Sequence, residues 1–164
     1  MKYTLSVLVE NQPGVLSKIS GLFSRRGFNI DSLAVGVTEN PAISRITIVV
    51  EGDEQIVEQV EKQVNKLIAS IKVKNLTTSG DYVGCLLMLV KVACNTKQRL
   101  EVMKIAEQMH ARIVDVTNNS LTLQYADTLE NIEIMISLLR PYGIKELVRT
   151  GTVALERGSS TALK

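Results

Sequence analysis

Glu10-Asn11-Gln12-Pro13-Gly14-Val15-Leu16 is the stretch over which the apolar pattern of this chain changes period. Before it, Tyr3, Leu5, Val7 and Val9 alternate with Thr4, Ser6 and Glu10, the pattern of a half-buried strand. After it, Val15, Leu16, Ile19, Leu22 and Phe23 form one stripe at helical spacing, closed by a basic last turn, Arg25-Arg26, and by Gly27. A strand that ends in a Gly-containing turn opening a helix leaves backbone N–H groups unpaired and pointing outward, an arrangement that attracts anions. The plainer reading of the same residues is that Pro13-Gly14 only starts the helix, and the pattern leaves both open. No Lys, Ser or Thr within the turn completes a phosphate cradle, so a carboxylate is the better-matched anion. Asn11 has an amide able to hydrogen-bond the carboxylate or the amino group of an amino acid.

Outward from this turn the elements follow in a simple order. Residues 30–37 read as a strand, Asn40-Pro41 as a turn, and Ile46, Ile48 and Val50 as one face of a strand over 44–51. Gly52-Asp53 opens a second helix with the stripe Ile56, Val57, Val60, Val64, Leu67 and Ile68, and a short strand over 71–76 has Ile71 and Val73 inward. After the polar residues 77–81 the order repeats. Residues 86–94 read as strand and 97–110 as helix; 113–116 and 121–125 pair as a hairpin across Asn118-Asn119; 129–139 is helical and one last strand covers 144–155. The expected fold is therefore α+β, two ferredoxin-like βαββαβ domains in tandem, over 1–77 and 83–157, with a linker at 78–82 and a flexible tail at 158–164. Each domain should have four antiparallel strands, both helices on one sheet face and the other face bare. Ser32, Ala34, Gly36 and Thr38 alternate with Leu33, Val35 and Val37, a smooth strand that suits edge-to-edge pairing with a second copy, so a homodimer is expected.

Composition excludes several classes of function. The 164 residues are 45% apolar, and 19 Lys+Arg against 17 Asp+Glu are spread evenly over both halves. There is no basic arm and there are six aromatics, so no nucleic acid is expected as partner. The longest apolar run is the six residues 85–90, against the roughly 20 of a membrane helix, so no membrane is expected either. The N-terminus shows no apolar signal core, which gives a cytoplasmic expectation. Cys85 and Cys94 read as reduced core thiols, His110 as a helix-end residue, and Met103, Met109 and Met135 as packing. One histidine allows no Ser-His-Asp set and no paired-His metal site, so neither catalytic residues nor metal ligands are expected in this chain.

The segment Asn11-Gln12-Pro13-Gly14-Val15-Leu16 resembles the N-x-P-G-x-L signature of ACT domains, which sense small molecules and most often amino acids. Residues 5–11, 21–24, 26–30 and 44–47 are more specifically similar to the regulatory small subunit of acetolactate synthase, and 88–92 and 113–117 are similar to that family's C-terminal domain. The resemblance implies a non-catalytic subunit that is homodimeric, binds valine or another branched-chain amino acid, activates a large catalytic subunit and makes it sensitive to valine. It implies an effector site between two ACT domains, with Asn11, Gly14, Val15 and Leu16 from one chain and Asn29 and Ile30 from the other. No cofactor is implied for this chain; thiamine diphosphate, Mg and FAD belong on the catalytic subunit. Gly80-Asp81-Tyr82 and Asn118-Asn119 only superficially resemble a thiamine-diphosphate motif, lacking its second Gly and its spacing. The alternative is a free-standing ACT-domain sensor acting on another enzyme or on transcription.

Overall fold

Alternation carries β1 from Lys2 to Glu10, and the chain turns at Asn11 into α1 (Val15–Arg26), as the change of period predicts. The elements that follow are β2 (Ile30–Val37), β3 (Ile43–Glu51), α2 (Glu54–Asn65), β4 (Ser70–Asn75) and the single helical turn α3 (Leu76–Ser79). The second half comprises β5 (Tyr82–Ala93), α4 (Thr96–Gln108), β6 (Arg112–Val116), β7 (Ser120–Asp127), α5 (Leu129–Leu139), β8 (Ile144–Arg149) and β9 (Val153–Glu156). These come from a computed structural model that describes residues 1–159 and 161; of the expected tail, 160 and 162–164 lie outside the described residues. One compact unit holds residues 1–84 and the described residues from Gly151 onward, and the other holds Cys85–Thr150.

The first sheet runs β2-β3-β1-β4 and the second follows the same path, β6-β7-β5-β8, with β9 additionally paired to β5. All pairings along those orders are antiparallel. In the first unit Tyr3, Leu5, Val7 and Val9 meet Ile46, Ile48 and Val50 of the sheet and Val15, Ile19, Leu22, Phe23, Val57, Val60 and Val64 of the helices in one core. Both helices therefore lie on one face, as expected. The second core repeats the plan with Met88, Val90 and Val92 under Val102, Ile132, Met135 and Leu139.

Departures from the expected pattern each have a local cause. Ile71 is exposed rather than inward because the β1–β4 register shifts between Leu8↔Lys72 and Val9↔Ser70, leaving Ile71 as the extra residue of a bulge. Ile68 is fully exposed because α2 ends at Asn65, so the helical stripe does not extend to it. Met103 is 40% exposed on the outer side of α4, whereas Met135 is buried. The expected linker at 78–82 includes the end of α3, whose start is held by the Asn75 carboxamide oxygen accepting from Thr77 and Thr78 N–H. The expected single strand over 144–155 breaks into β8 and β9 around Gly151.

The expectation of a bare outer face fails in the first unit. Thr4, Ser6, Leu8, Thr47 and Val49 point away from the helices, yet all are buried. The returning C-terminal segment lies over them. Thr152 N–H donates to Ser32 Oγ of β2 at 3.0 Å, and Glu156 is ion-paired with Lys74 of β4. Ala154, two residues from each, is buried, while Val153 and Leu155 are exposed, so the segment keeps a strand's alternation. Tyr82 adds a hydroxyl contact of 3.2 Å to Thr4 Oγ1. Three inter-strand steps separate β2 from β4, roughly 14 Å, and the five residue steps from Gly151 to Glu156 span roughly 16 Å, so this strap reaches from one sheet edge to the other.

Ile48 is completely buried between sheet and helices, and its truncation leaves a cavity. Ile48→Ala should lower the unfolding free energy by about 2–5 kcal/mol in urea titrations, and Ile68→Ala by less than about 0.5 kcal/mol.

Candidate functional site

Pro13 and Gly14 turn the chain out of β1, with Gly14 at a left-handed φ of 84° that residues with a Cβ rarely adopt. The first turn of α1 is left open by this geometry. Lys18 N–H reaches the Gly14 carbonyl at 3.0 Å and Val15 N–H makes a long 3.5 Å contact to the Gln12 carbonyl, but Leu16 and Ser17 N–H have no partner and no side chain caps the helix. The other α-helices are all capped: Asp53 accepts from Ile56 N–H, Asn75 caps α3, Asn95 accepts from Lys97 and Gln98 N–H, and Thr128 accepts from Asn131 N–H. Among the described residues α1 is thus the one α-helix whose start lacks a side-chain acceptor. The turn itself is open at Gly14, where an added Cβ meets nothing within 4 Å.

Asn11 is held at the rim by its neighbours. Its N–H donates to the Ala42 carbonyl at 2.8 Å and its Nδ2 to the Pro41 carbonyl at 2.9 Å, which leaves Oδ1 and the second amide hydrogen for a ligand. Pro41 read in the sequence only as a turn residue, and its positioning of Asn11 has no signal in one dimension. Leu16 is 42% exposed and offers apolar surface beside the open amides. Val15 is different: its side chain is 6% exposed and packs in the core, so only its backbone faces the site.

Asn29 and Ile30 stand apart from this turn within one chain. Gly27, left-handed at φ 69°, closes α1 by donating to the Phe23 and Ser24 carbonyls, and Phe28 N–H returns to the Phe23 carbonyl. The chain then enters β2, where Ile30 is opposite Val50, itself opposite Tyr3. The Asn11 turn lies beyond Glu10↔Ile43, at the other end of the sheet, roughly 23 Å away along the strands. One chain therefore does not bring the two groups of expected site residues together.

The second unit has the same strand-turn-helix step but a closed version of it. Asn95 Oδ1 takes the Lys97 and Gln98 N–H at 3.0 and 2.9 Å, while Gln98 Oε1 takes the Asn95 N–H at 3.3 Å, a reciprocal capping box. An anion arriving there finds those donors used. A further recess, lined by Glu54, Gln55, Glu58, Glu61, Asn75 and Thr78, is acidic. Burial and then the Glu58 charge push the Glu61 carboxyl above its usual range, an environment that opposes a carboxylate ligand.

Comparison with known proteins converges on one family. Residues 5–72 match the family model described as "AHAS small subunit-like ACT domain", and 86–158 match that described as "Small subunit of acetolactate synthase". A protein of Archaeoglobus fulgidus named "Probable acetolactate synthase small subunit" is 50% identical over 159 residues, covering 97% of this chain and 99% of its own. The acetolactate synthase small subunit of Mycolicibacterium smegmatis is 45% identical over 156 residues, covering 95% and 91%. The crystal structure of the acetolactate synthase small subunit from Thermotoga maritima superposes with a TM-score of 0.88 at 35% identity, covering 98% of this chain and 99% of that one.

The contrast between the two helix starts is testable without a ligand. Asn95→Ala should cost about 1 kcal/mol in denaturant titrations, because two amides lose their acceptor. Gly14→Asp should also cost about 1 kcal/mol but for a different reason, since no acceptor is lost and the left-handed φ strains any residue with a Cβ.

Proposed function

Because the chain belongs to the acetolactate synthase small-subunit family, we propose that it is the valine-sensing regulatory partner of a large catalytic subunit. The observation that carries this reading is the uncapped start of α1, two unpartnered amides facing open space beside Asn11 and Leu16. Those amides receive the carboxylate of the effector, where the helix dipole adds to their hydrogen bonds. Asn11 Oδ1 accepts from its ammonium group, and the exposed Leu16 side chain covers a short branched hydrocarbon. Valine is the effector this reading commits to; isoleucine and leucine differ from it by one methylene, worth about 1–3 kcal/mol in a fitted pocket.

The site is completed in a homodimer. β2 is an edge strand with Val35 and Val37 48% and 58% exposed, and neither Lys nor Pro guards it. A second copy pairing antiparallel on this edge has its β2 start beside the β2 end of the first. That exchange moves the partner copy's strand entry, Asn29 and Ile30, to the end of the sheet where the Asn11 turn lies. It offers a geometric reason for two groups of residues at opposite sheet ends to serve one ligand.

Regulation then follows from differential binding. Thiamine diphosphate, Mg and FAD belong on the catalytic subunit, which performs the condensation of pyruvate. The small subunit raises its turnover by binding to it, and valine lowers turnover because it favours the dimer arrangement that activates less. The required coupling is on the order of 1–3 kcal/mol, with reciprocal weakening of valine affinity in the more active arrangement.

Reconstitution of the large subunit with this chain should raise acetolactate formation and make it sensitive to valine. With Gly14→Asp the activation should persist while valine inhibition and calorimetric valine binding are lost, because the new carboxylate occupies the anion's place. Undiminished inhibition with that variant, or acetolactate formation by this chain alone, contradicts the assignment. Valine should also shift the monomer–dimer equilibrium toward dimer in sedimentation, and a monomer binding valine at full affinity contradicts the shared site.

A further inference from the structure

The strap over the outer face of the first sheet makes its closest approach at β2. Gly151 passes so near that strand that a Cβ on it would stand 2.5 Å from the Leu33 carbonyl carbon and 3.0 Å from the Ala34 nitrogen. The next residue fixes the crossing, with Thr152 N–H donating to Ser32 Oγ at 3.0 Å. These contacts fall just after an irregularity in the strand. The β2–β3 register shifts between Ile30 and Ser32, leaving Asp31 as the extra residue, which is tied to Lys2 by an ion pair of 2.7 Å.

A bulge frees a strand locally from its ladder and re-aims the residues beside it. β2 is moreover an edge, with β3 as its neighbour on one side only. The orientation of the strand entry therefore depends on whatever pins the residues after the bulge, and Gly151 and Thr152 are what the fold puts there. The far end of the strap is anchored on β4 by the Glu156–Lys74 pair, and Arg157 N–H donates to the Asp81 carbonyl at 3.1 Å, so its crossing point is fixed from both directions.

We infer that Gly151 and Thr152 are positioning residues for effector binding: they clamp β2 at Ser32 and Leu33 and thereby set the register and direction in which the strand presents Asn29 and Ile30. This rests on the proposed role of β2 as the dimer edge that carries those two residues. It gives the C-terminal end of the chain a part in valine response that does not require it to touch the ligand. Glycine is demanded at 151 by the approach of two backbones, since its φ is not one of the left-handed values found in this chain.

The test uses the full-length chain and reads local hydrogen exchange together with valine affinity. In Gly151→Val the amides of 30–37 should exchange at least tenfold faster while those of β1 keep parental protection, and valine binding by calorimetry should weaken at least tenfold. Ser32→Ala, which removes only the hydroxyl acceptor, should move both readouts in the same direction by a smaller factor, and Ser32→Thr, which keeps a hydroxyl, should restore them toward the parent. The Ser32 pair also decides the question should Gly151→Val fail to fold. Parental exchange in 30–37 for folded Gly151→Val, or for Ser32→Ala, overturns the clamp. Faster exchange with unchanged valine affinity overturns its role in binding. A parent chain that binds no valine, with β2 still loosened in the variants, overturns the effector reading while upholding the clamp on the strand.

Discussion

Backbone amides at a helix start need acceptors, and among the described residues side chains supply them at every α-helix except α1. Leaving that start open forgoes about 1 kcal/mol of capping stability and forces a left-handed residue into the turn. Other features of the first unit follow from holding this opening in place. Val15 anchors the helix start in the core so that only backbone faces outward, and the Asn40–Ala42 turn holds Asn11 at the rim through two hydrogen bonds. The opening is thus framed by a core side chain and by a turn that fixes Asn11 while leaving its Oδ1 free.

The second unit shows what the same topology looks like without this demand. Its helix α4 closes on itself through Asn95 and Gln98, and its last turn ends at His110, at φ 56°, whose N–H donates to the Glu107 carbonyl. Tandem repetition of a fold has therefore not meant repetition of a site. The first unit is specialised in a further way, because its outer sheet face is covered by residues from the end of the chain. Cutting the chain after β4 would uncover Leu8, Thr47 and Val49, because the compact unit that contains the ACT domain takes in residues from both parts of the sequence.

Much of this was legible in one dimension. The switch of period at Glu10–Leu16 fixed strand, turn and helix; the alternation in β1 and β3 and the stripe of Val57, Val60 and Val64 fixed the inward faces. What escaped had no periodic trace. A one-residue bulge turned Ile71 outward, the end of α2 released Ile68, and the burial of Thr4, Ser6 and Thr47 depended on a segment more than 100 residues away whose own pattern read as the end of a longer strand. The candidate turn was visible because its signal is local, whereas the Pro41 carbonyl that orients Asn11 and the Gly151 approach to β2 are visible only in three dimensions.

The central claim is that one ligand site is shared between two copies of this chain, and subunit mixing tests it most directly. Gly14→Asp disables the turn and Asn29→Ala disables the strand entry, so neither homodimer should bind valine. Dissociating and reassociating an equal mixture yields heterodimers in which one site takes its turn from the Asn29→Ala chain and its strand entry from the Gly14→Asp chain, and about a quarter of all sites should regain parental affinity by calorimetry. A mixture that forms heterodimers yet binds no valine would contradict the shared site.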